Sequence, residues 1–254
     1  MGLESIPNKE IRAVFTDLDD TLTENQGLSS QTYDSLWRLK SAGLRVAIIS
    51  GRPAGWADCL MRLWPLDAMV FENGAGVMTR EGDRILTHRL AENAMTAKTK
   101  LASFFQQLKT EIPSLKLATD QPYRLCDMAI DFNEEDPKLS PQEVERLMRR
   151  LEETPELNGK LSSIHLNIWC GAHTKVTAVE WLLSKFGLEW GLSKENVVFS
   201  GDSPNDEPLF EFFAHTVGVA NIQPFLAKMK THPKSITQGS GGRGFQELVD
   251  YLLA

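Results

Sequence analysis

Residues 12–21 read RAVFTDLDDT: a short β-type run, Arg12–Thr16, opens directly into Asp17-Leu18-Asp19-Asp20-Thr21. Side chains two apart on an extended chain point the same way, so Asp17 and Asp19 should project together past the end of a strand. The surrounding chain says what kind of strand it is. From Ser29, Tyr33, Leu36 and Leu39 fall on one helical face, and Gly43 supplies a stop. Leu44–Ile49 is a continuous apolar strand, Pro53–Leu63 is helical, and Ala68–Phe71 is a third strand. Buried apolar strands alternating with helices predict a parallel sheet covered on both faces. Open sheets of this kind bind ligands beyond the carboxyl ends of their strands, where Asp17 and Asp19 would stand. Taken alone, the acidic stretch reads equally well as a polar loop of turn-forming aspartates.

After Asn73-Gly74-Ala75-Gly76 the rhythm changes. Ala91–Ile112 reads as a long helix, and Leu115–Thr119, Arg124–Phe132 and Ser163–Cys170 read as strands. Ser140-Pro141-Gln142-Glu143 is a capping box with proline at the first helical position, so a helix should start there. An insert of roughly ninety residues is large enough for a domain of its own. From Lys175 the alternation resumes: Thr177–Phe186 as a helix closed by Gly187, Val197–Ser200 as a strand, Asp206–Phe213 as a helix, Thr216–Val219 as a strand and Phe245–Leu253 as the last helix. The expectation is an α/β protein: a doubly wound, mostly parallel core of residues 1–84 and 172–254, interrupted by a smaller α+β cap of residues 85–171.

Composition narrows the function. Of 254 residues, 42% are hydrophobic and 24% charged, which is ordinary for a globular protein. The formal charge of −7 argues against a nucleic-acid or anionic-membrane surface, which would need a basic face. Apolar runs no longer than Val46–Ile49 predict no membrane span, and MGLESIPNKEIR carries no signal-peptide stretch. Cys59, Cys126 and Cys170 form no CxxC pair and read as thiols of a reducing compartment, so a cytoplasmic location is expected.

A second acidic segment answers the first. Gly201-Asp202-Ser203-Pro204-Asn205-Asp206 follows the strand Val197–Ser200. If the two strands are neighbours, Asp17, Asp19, Asp202 and Asp206 converge. Like charges about 4 Å apart repel by roughly 4 kcal/mol at an effective dielectric near 20, so such a cluster calls for a cation or for raised pKa values. An all-oxygen donor set suits Mg²⁺. Ser50-Gly51-Arg52 ends another strand just before a helix, offering a hydroxyl and backbone N–H groups suited to a phosphate oxygen, although an isolated Ser-Gly is as readily a helix cap. Lys175 opens a helix at the end of the insert, where most lysines simply face water.

This ordered set resembles the haloacid dehalogenase superfamily of phosphohydrolases. The Phe71-Glu72-Asn73-Gly74-Ala75 segment, the late insert and the placement of Lys175 resemble its α/β-capped branch, type IIB, which includes sucrose-phosphate and mannosyl-phosphoglycerate phosphatases. The resemblance implies that Asp17 is a nucleophile forming an aspartyl-phosphate and that Asp19 is the general acid and base. It implies Mg²⁺ held by Asp17, the backbone of Asp19, Asp202 and Asp206. It implies phosphoryl oxygens held by Ser50, Gly51, Lys175 and Asn205. Asp20, where many members carry glycine or asparagine, and Thr174-Lys175-Val176, where lysine-glycine is commoner, are departures.

In the cap, the alternation of Ser163–Cys170 puts Ile164, Leu166 and Ile168 toward the cap helices and His165, Asn167 and Trp169 on the opposite face. That face, with Asp127 or Asp131 beside it, would offer hydrogen bonds and an aromatic platform to a sugar; as readily, it is a plain wet face. Gly239–Gly244 matches GxGxxG but no strand follows it, so it reads as a flexible turn. The expected protein is a phosphatase of a small phosphorylated metabolite, a sugar phosphate, acting as a monomer or weak dimer without nucleic-acid or membrane partners. A phosphomutase on the same fold and a non-catalytic sensor of phosphorylated metabolites are the alternatives.

Overall fold

The computed structural model describes residues 2–25, 27–91, 94–162 and 164–254, with the side chains of all of these except 94 and 95. Residues 92, 93 and 163, inside the expected insert helix and strand, lie outside the described residues. In chain order the first elements are β1 (Ala13–Thr16), α1 (Ser30–Ser41), β2 (Arg45–Ile49), α2 (Ala54–Leu63), β3 (Ala68–Phe71), β4 (Gly76–Glu81) and β5 (Arg84–Arg89). Then come α3 (Ala94–Glu111), β6 (Lys116–Leu117), β7 (Met128–Asp131), α4 (Pro141–Glu152), β8 (Leu157–Leu161) and β9 (His165–Cys170). The chain closes with α5 (Lys175–Trp190), β10 (Val197–Gly201), α6 (Glu207–Phe212), β11 (His215–Gly218), β12 (Ser235–Ile236) and α7 (Gly241–Leu252).

Eight strands form one sheet in the order β12-β11-β10-β1-β2-β3-β4-β5, and four form a second in the order β6-β7-β9-β8. From β12 to β3 every neighbouring pair is parallel; β4 and β5 extend the edge as an antiparallel hairpin. The doubly wound reading thus holds, and the reason is visible in the strands. Val14, Val46, Ile48 and Met69 pack with Leu36 and Leu39 of α1, Met61 of α2 and Leu248 of α7 on one face. Their neighbours Phe15, Ala47, Ile49 and Val70 pack with Val179 and Leu182 of α5 and Phe210 of α6 on the other. Successive residues feed opposite cores, so the strands must be apolar throughout. The hairpin β4–β5 and strand β8 are missing from the sequence reading. Thr79 and Arg80, or Asn158, Gly159 and Lys160, break the apolar runs that signal a buried strand. The hairpin keeps residues 84–89 in the large sheet, past position 84.

The smaller sheet buries Met128, Ile130, Leu166 and Ile168 against α3 and α4. The Ser140 capping box is present in full: its hydroxyl receives the Glu143 N–H, and the Glu143 carboxylate receives the Ser140 N–H. Several boundaries and assignments differ from expectation. Helix α5 runs through Gly187 and ends at Gly191 in the left-handed conformation, φ 66°. Only Met128–Asp131 of the expected run 124–132 is strand. Gly241, Gly242 and Gly244 form the first turn of α7 and are buried, so this segment is not a flexible turn; a methyl on Gly242 would collide with the Thr32 hydroxyl.

The two sheets are tied together by one carboxylate. Glu72 follows β3 with φ 48° and is fully buried. Its Oε1 accepts from Ala54 N at 3.0 Å, at the start of α2, and from Leu125 N at 2.8 Å. Its Oε2 accepts from Cys126 N at 2.7 Å and Asp127 N at 3.1 Å. An ionised carboxylate can accept several such bonds at once, and each is stronger for the charge. Replacing Glu72 by Ala should strand four N–H groups, three of them buried, and lower stability by at least about 3 kcal/mol, with Glu72→Gln intermediate. Urea denaturation checks this; a Glu72→Ala midpoint equal to wild type would contradict it.

Candidate active site

Strands β1 and β10 are adjacent, with Thr16 opposite Ser200, so the two acidic segments leave the sheet side by side. Asp17, Asp202 and Asp206 each bring a carboxylate oxygen to within 4.8 Å of the others, and all three are buried. The turn that returns Asp206 toward Asp202 needs Gly201: a methyl there would lie 2.6 Å from Asp206 Oδ2. Thr21 donates to Asp202 Oδ1 at 3.1 Å, and Asn221 donates to the Asp20 carbonyl at 2.9 Å, holding both loops.

Lys175, the first residue of α5, is no surface lysine. It is buried and donates to Asp17 Oδ1 at 2.7 Å, Asp206 Oδ1 at 3.0 Å and Asn205 Oδ1 at 3.2 Å. Gly74, φ 105°, lets the chain after β3 run so close to Thr174 that a methyl would strike its carbonyl. Burial works against the ammonium, but Asp17 and Asp206 more than offset it and hold it charged. The carboxylates outnumber it. Burial pushes the Asp17 carboxyl up to about 8; Lys175 opposes this, while Asp206 and Asp19 add to it. Burial, then Asp206, Asp17 and Asp20, raise Asp202 well above the usual carboxylate range. A hard divalent cation would balance such a set. Three carboxylates with one lysine fit it in charge and in donor chemistry.

Asp19 is placed differently. Its carboxylate is half-exposed and is gripped by Arg52, whose Nε donates at 2.9 and 3.1 Å and whose Nη2 donates at 2.9 Å. Arg52 also reaches Asp120 at 3.5 Å and Glu134 at 3.8 Å, and stacks on Trp56 at 4.4 Å. Among the described residues, the side-chain cluster suited to a metal therefore comprises Asp17, Asp202 and Asp206 but not the Asp19 carboxylate. Ser50 is buried at the end of β2, and its hydroxyl receives the Arg52 N–H at 3.0 Å.

The cap closes over this cluster. A cleft of about 40 Å³ is lined by Asp17, Asp19, Ser50, Gly51, Lys175, Asp202 and Asn205 from the core and by Arg124, His165 and Asn167 from the cap. Ser50, Gly51, Lys175, Asn205, His165 and Asn167 thus line one cleft. Trp169 does not join them: its indole donates to the His173 carbonyl at 3.1 Å and its ring lies 5.8 Å from the His173 ring. The strand carries it past the cleft toward the return to the core. Ile164, expected among the cap helices, lines the cleft instead, because it precedes β9 and escapes its alternation. Asp131 accepts from the N–H groups of residues 133, 134 and 135, and Asp127 pairs with Arg124 at 2.9 Å. Both are structural.

Arg52, Asn73 and Arg124 are among the cleft residues the sequence reading missed, with Ser162 and Ser203. Arg52 stood in view in Ser50-Gly51-Arg52. Arg124 lay hidden in a segment read as strand; it is buried, donates to the Gly51 carbonyl at 3.0 Å and pairs with Asp120 and Asp127. His165 Nε2 lies 2.7 Å from Glu134 Oε2.

A doubly wound core, a four-stranded cap and acidic strand ends facing a buried lysine define a phosphatase of the haloacid dehalogenase superfamily with an α/β cap. Residues 11–240 match the family described as sucrose-6F-phosphate phosphohydrolase, and the chain belongs to that family. It is 28% identical over 247 residues to phosphoglycolate phosphatase 1 of Saccharolobus solfataricus, covering 96% of each chain. Its fold is similar to that of a Thermoplasma acidophilum protein, with a TM-score of 0.74, 18% identity and 96% and 99% of the two chains covered. It is similar also to the sucrose-phosphatase of Synechocystis, solved with sucrose and phosphate, with a TM-score of 0.65, 20% identity and 94% and 97% covered.

The raised carboxyls predict how any cation binding would depend on pH. Burial raises the Asp17 carboxyl from its ordinary 3.8 to about 8. Protons and cation compete, so the stabilisation given by millimolar MgCl₂ should grow as pH rises from about 5.5 to about 8.5. Thermal unfolding with and without the salt reads this directly; a shift independent of pH would contradict it.

Proposed function

We propose that the protein is a Mg²⁺-dependent phosphomonoesterase that hydrolyses a small phosphorylated metabolite, a sugar phosphate, through an aspartyl-phosphate on Asp17. The observation that carries this reading is the position of Asp17: at the end of β1, bonded to Lys175, beside Asp202 and Asp206. Bound there by Asp17, Asp202 and Asp206, Mg²⁺ would neutralise charge on the carboxylates and on the phosphoryl oxygens.

The chain's own groups would then divide the work. Lys175 favours the ionised form of Asp17 against its burial, and its ammonium and the Ser50 hydroxyl donate to the phosphoryl oxygens. An Asp17 oxygen attacks phosphorus as the bond to the leaving oxygen breaks. Asp19, two residues on and on the same side, gives that oxygen its proton. It then takes a proton from the water whose oxygen attacks phosphorus and releases Asp17. Arg52 fixes where the Asp19 carboxylate points. The cap excludes bulk water from these steps.

The lining also speaks to the leaving group. Relatives carry names for two kinds, phosphoglycolate and a sugar phosphate. Both arginines of the cleft are already matched by carboxylates: Arg52 by Asp19 and Asp120, and Arg124 by Asp120 and Asp127. A carboxylate on the leaving group would find no spare positive charge on either. A neutral polyhydroxylated group finds donors and acceptors in plenty, which favours the sugar.

Asp17→Asn should keep the fold and lose at least about 10³-fold in kcat with p-nitrophenyl phosphate and MgCl₂. Retained turnover would overturn the nucleophile assignment. A screen of sugar phosphates and phosphorylated acids for Mg²⁺-dependent phosphate release tests the leaving group. Isomer formation without release would replace hydrolysis by a mutase reaction.

A further inference from the structure

A third strand end reaches the acidic cluster. Strand β11 runs parallel to β10, with Gly218 opposite Gly201, and Asn221 stands half-buried just beyond its end. The Asn221 side chain touches three separate segments. Its oxygen accepts from Gly241 N at 2.9 Å, at the start of α7. Its nitrogen donates to the Asp20 carbonyl at 2.9 Å, after β1, and to Asp202 Oδ2 at 3.4 Å, after β10. The Gly241 N–H can only donate, so it fixes which end of the amide is oxygen and turns the nitrogen toward the carbonyl and the carboxylate. The two N–H bonds of the amide then have one partner each.

Asp202 is held differently from its neighbours. Asp17 and Asp206 bond to the Lys175 ammonium, whereas Asp202 accepts from neutral donors, the Thr21 hydroxyl on Oδ1 and the Asn221 amide on Oδ2. A neutral donor orients a carboxylate and leaves its charge for a cation; a lysine or arginine in the same place would cancel that charge. The second bond acts on the same region. Asp20 adopts φ 58°, a left-handed conformation that the surroundings must hold. Its carbonyl is held by Asn221 where the chain turns away from Asp17 and Asp19.

We infer that Asn221 is a positioning residue of the cation site: one amide holds both the Asp202 carboxylate and the Asp20 turn, and so presets the site before the ion arrives. The inference rests on the Mg²⁺ reading above and adds to it a residue that touches neither ion nor substrate. A carboxylate loses rotational freedom when it binds an ion, and one held in advance loses less. Removing an outer partner of this kind weakens metal binding by about 10- to 100-fold.

Mn²⁺ titrated into the metal-free protein at about pH 8, with the free ion counted by electron paramagnetic resonance, reads the Kd of the site without turnover. Asn221→Ala should raise that Kd about tenfold or more, and so should Asn221→Leu, which keeps the volume of the side chain. Glu247→Ala separates positioning from general loosening. The Glu247 carboxylate accepts from Gln238 N at 2.8 Å and Gly239 N at 2.6 Å, in the loop that leads to Gly241. Its loss frees the same loop and leaves the Asn221 amide in place, so the Kd should stay within about threefold of wild type. An unchanged Kd in both Asn221 variants, or an equal rise in Glu247→Ala, would overturn the inference and leave the cation reading standing. Wild-type protein that takes up no Mn²⁺ would overturn the cation reading, and the inference with it.

Discussion

Three buried carboxylates share one lysine at the ends of two adjacent parallel strands, and the rest of the molecule is arranged around that imbalance. Asp17 and Asp206 are both within 3.0 Å of the Lys175 ammonium, while the Asp202 carboxylate accepts from the Thr21 hydroxyl and the Asn221 amide. No apolar environment tolerates such a group fully ionised without help, so the site either retains protons or takes a cation. That choice would link proton, metal and substrate in one cleft. It also explains why the glycines here are fixed: Gly201 and Gly74 let chain segments approach closely enough to bring Asp206 and Lys175 to Asp17.

The cap adds a second layer with a different logic. Its segment 120–127 is bound to the core through Glu72, and through Arg124 to the Gly51 carbonyl. The same segment supplies Asp120, which Arg52 shares with Asp19. The group proposed to handle the proton is thus wired to the element that covers the cleft. Removing water from a cleft of about 40 Å³ strengthens every charge interaction inside it.

Much of this was legible in the sequence because it is periodic or local. Apolar strands at β1, β2, β3 and β10 announce a parallel sheet, and strand-end carboxylates announce a site beyond it. Asp17, Asp202 and Asp206 could be brought together from topology alone, since neighbouring strands set their distance. What escaped depends on long-range partners. Nothing local marks Arg124 as buried, because its burial depends on Asp120 and Asp127 folding back upon it. Trp169 has the right parity but sits too far along β9 to meet the cleft. The hairpin β4–β5 is half-exposed along β5, so it lacks the apolar signature of the buried strands. The glycine run before α7 suggested flexibility, yet its lack of side chains serves close packing against Leu22 and Thr32.

A crystal of the protein grown with MnCl₂ and measured for anomalous scattering addresses the centre of this picture. One strong peak bounded by oxygens of Asp17, Asp202 and Asp206, and absent from Asp202→Asn protein, is the expected result. A cleft without a peak, or manganese bound only at surface carboxylates, would mean that the acidic strand ends were not built to share a cation.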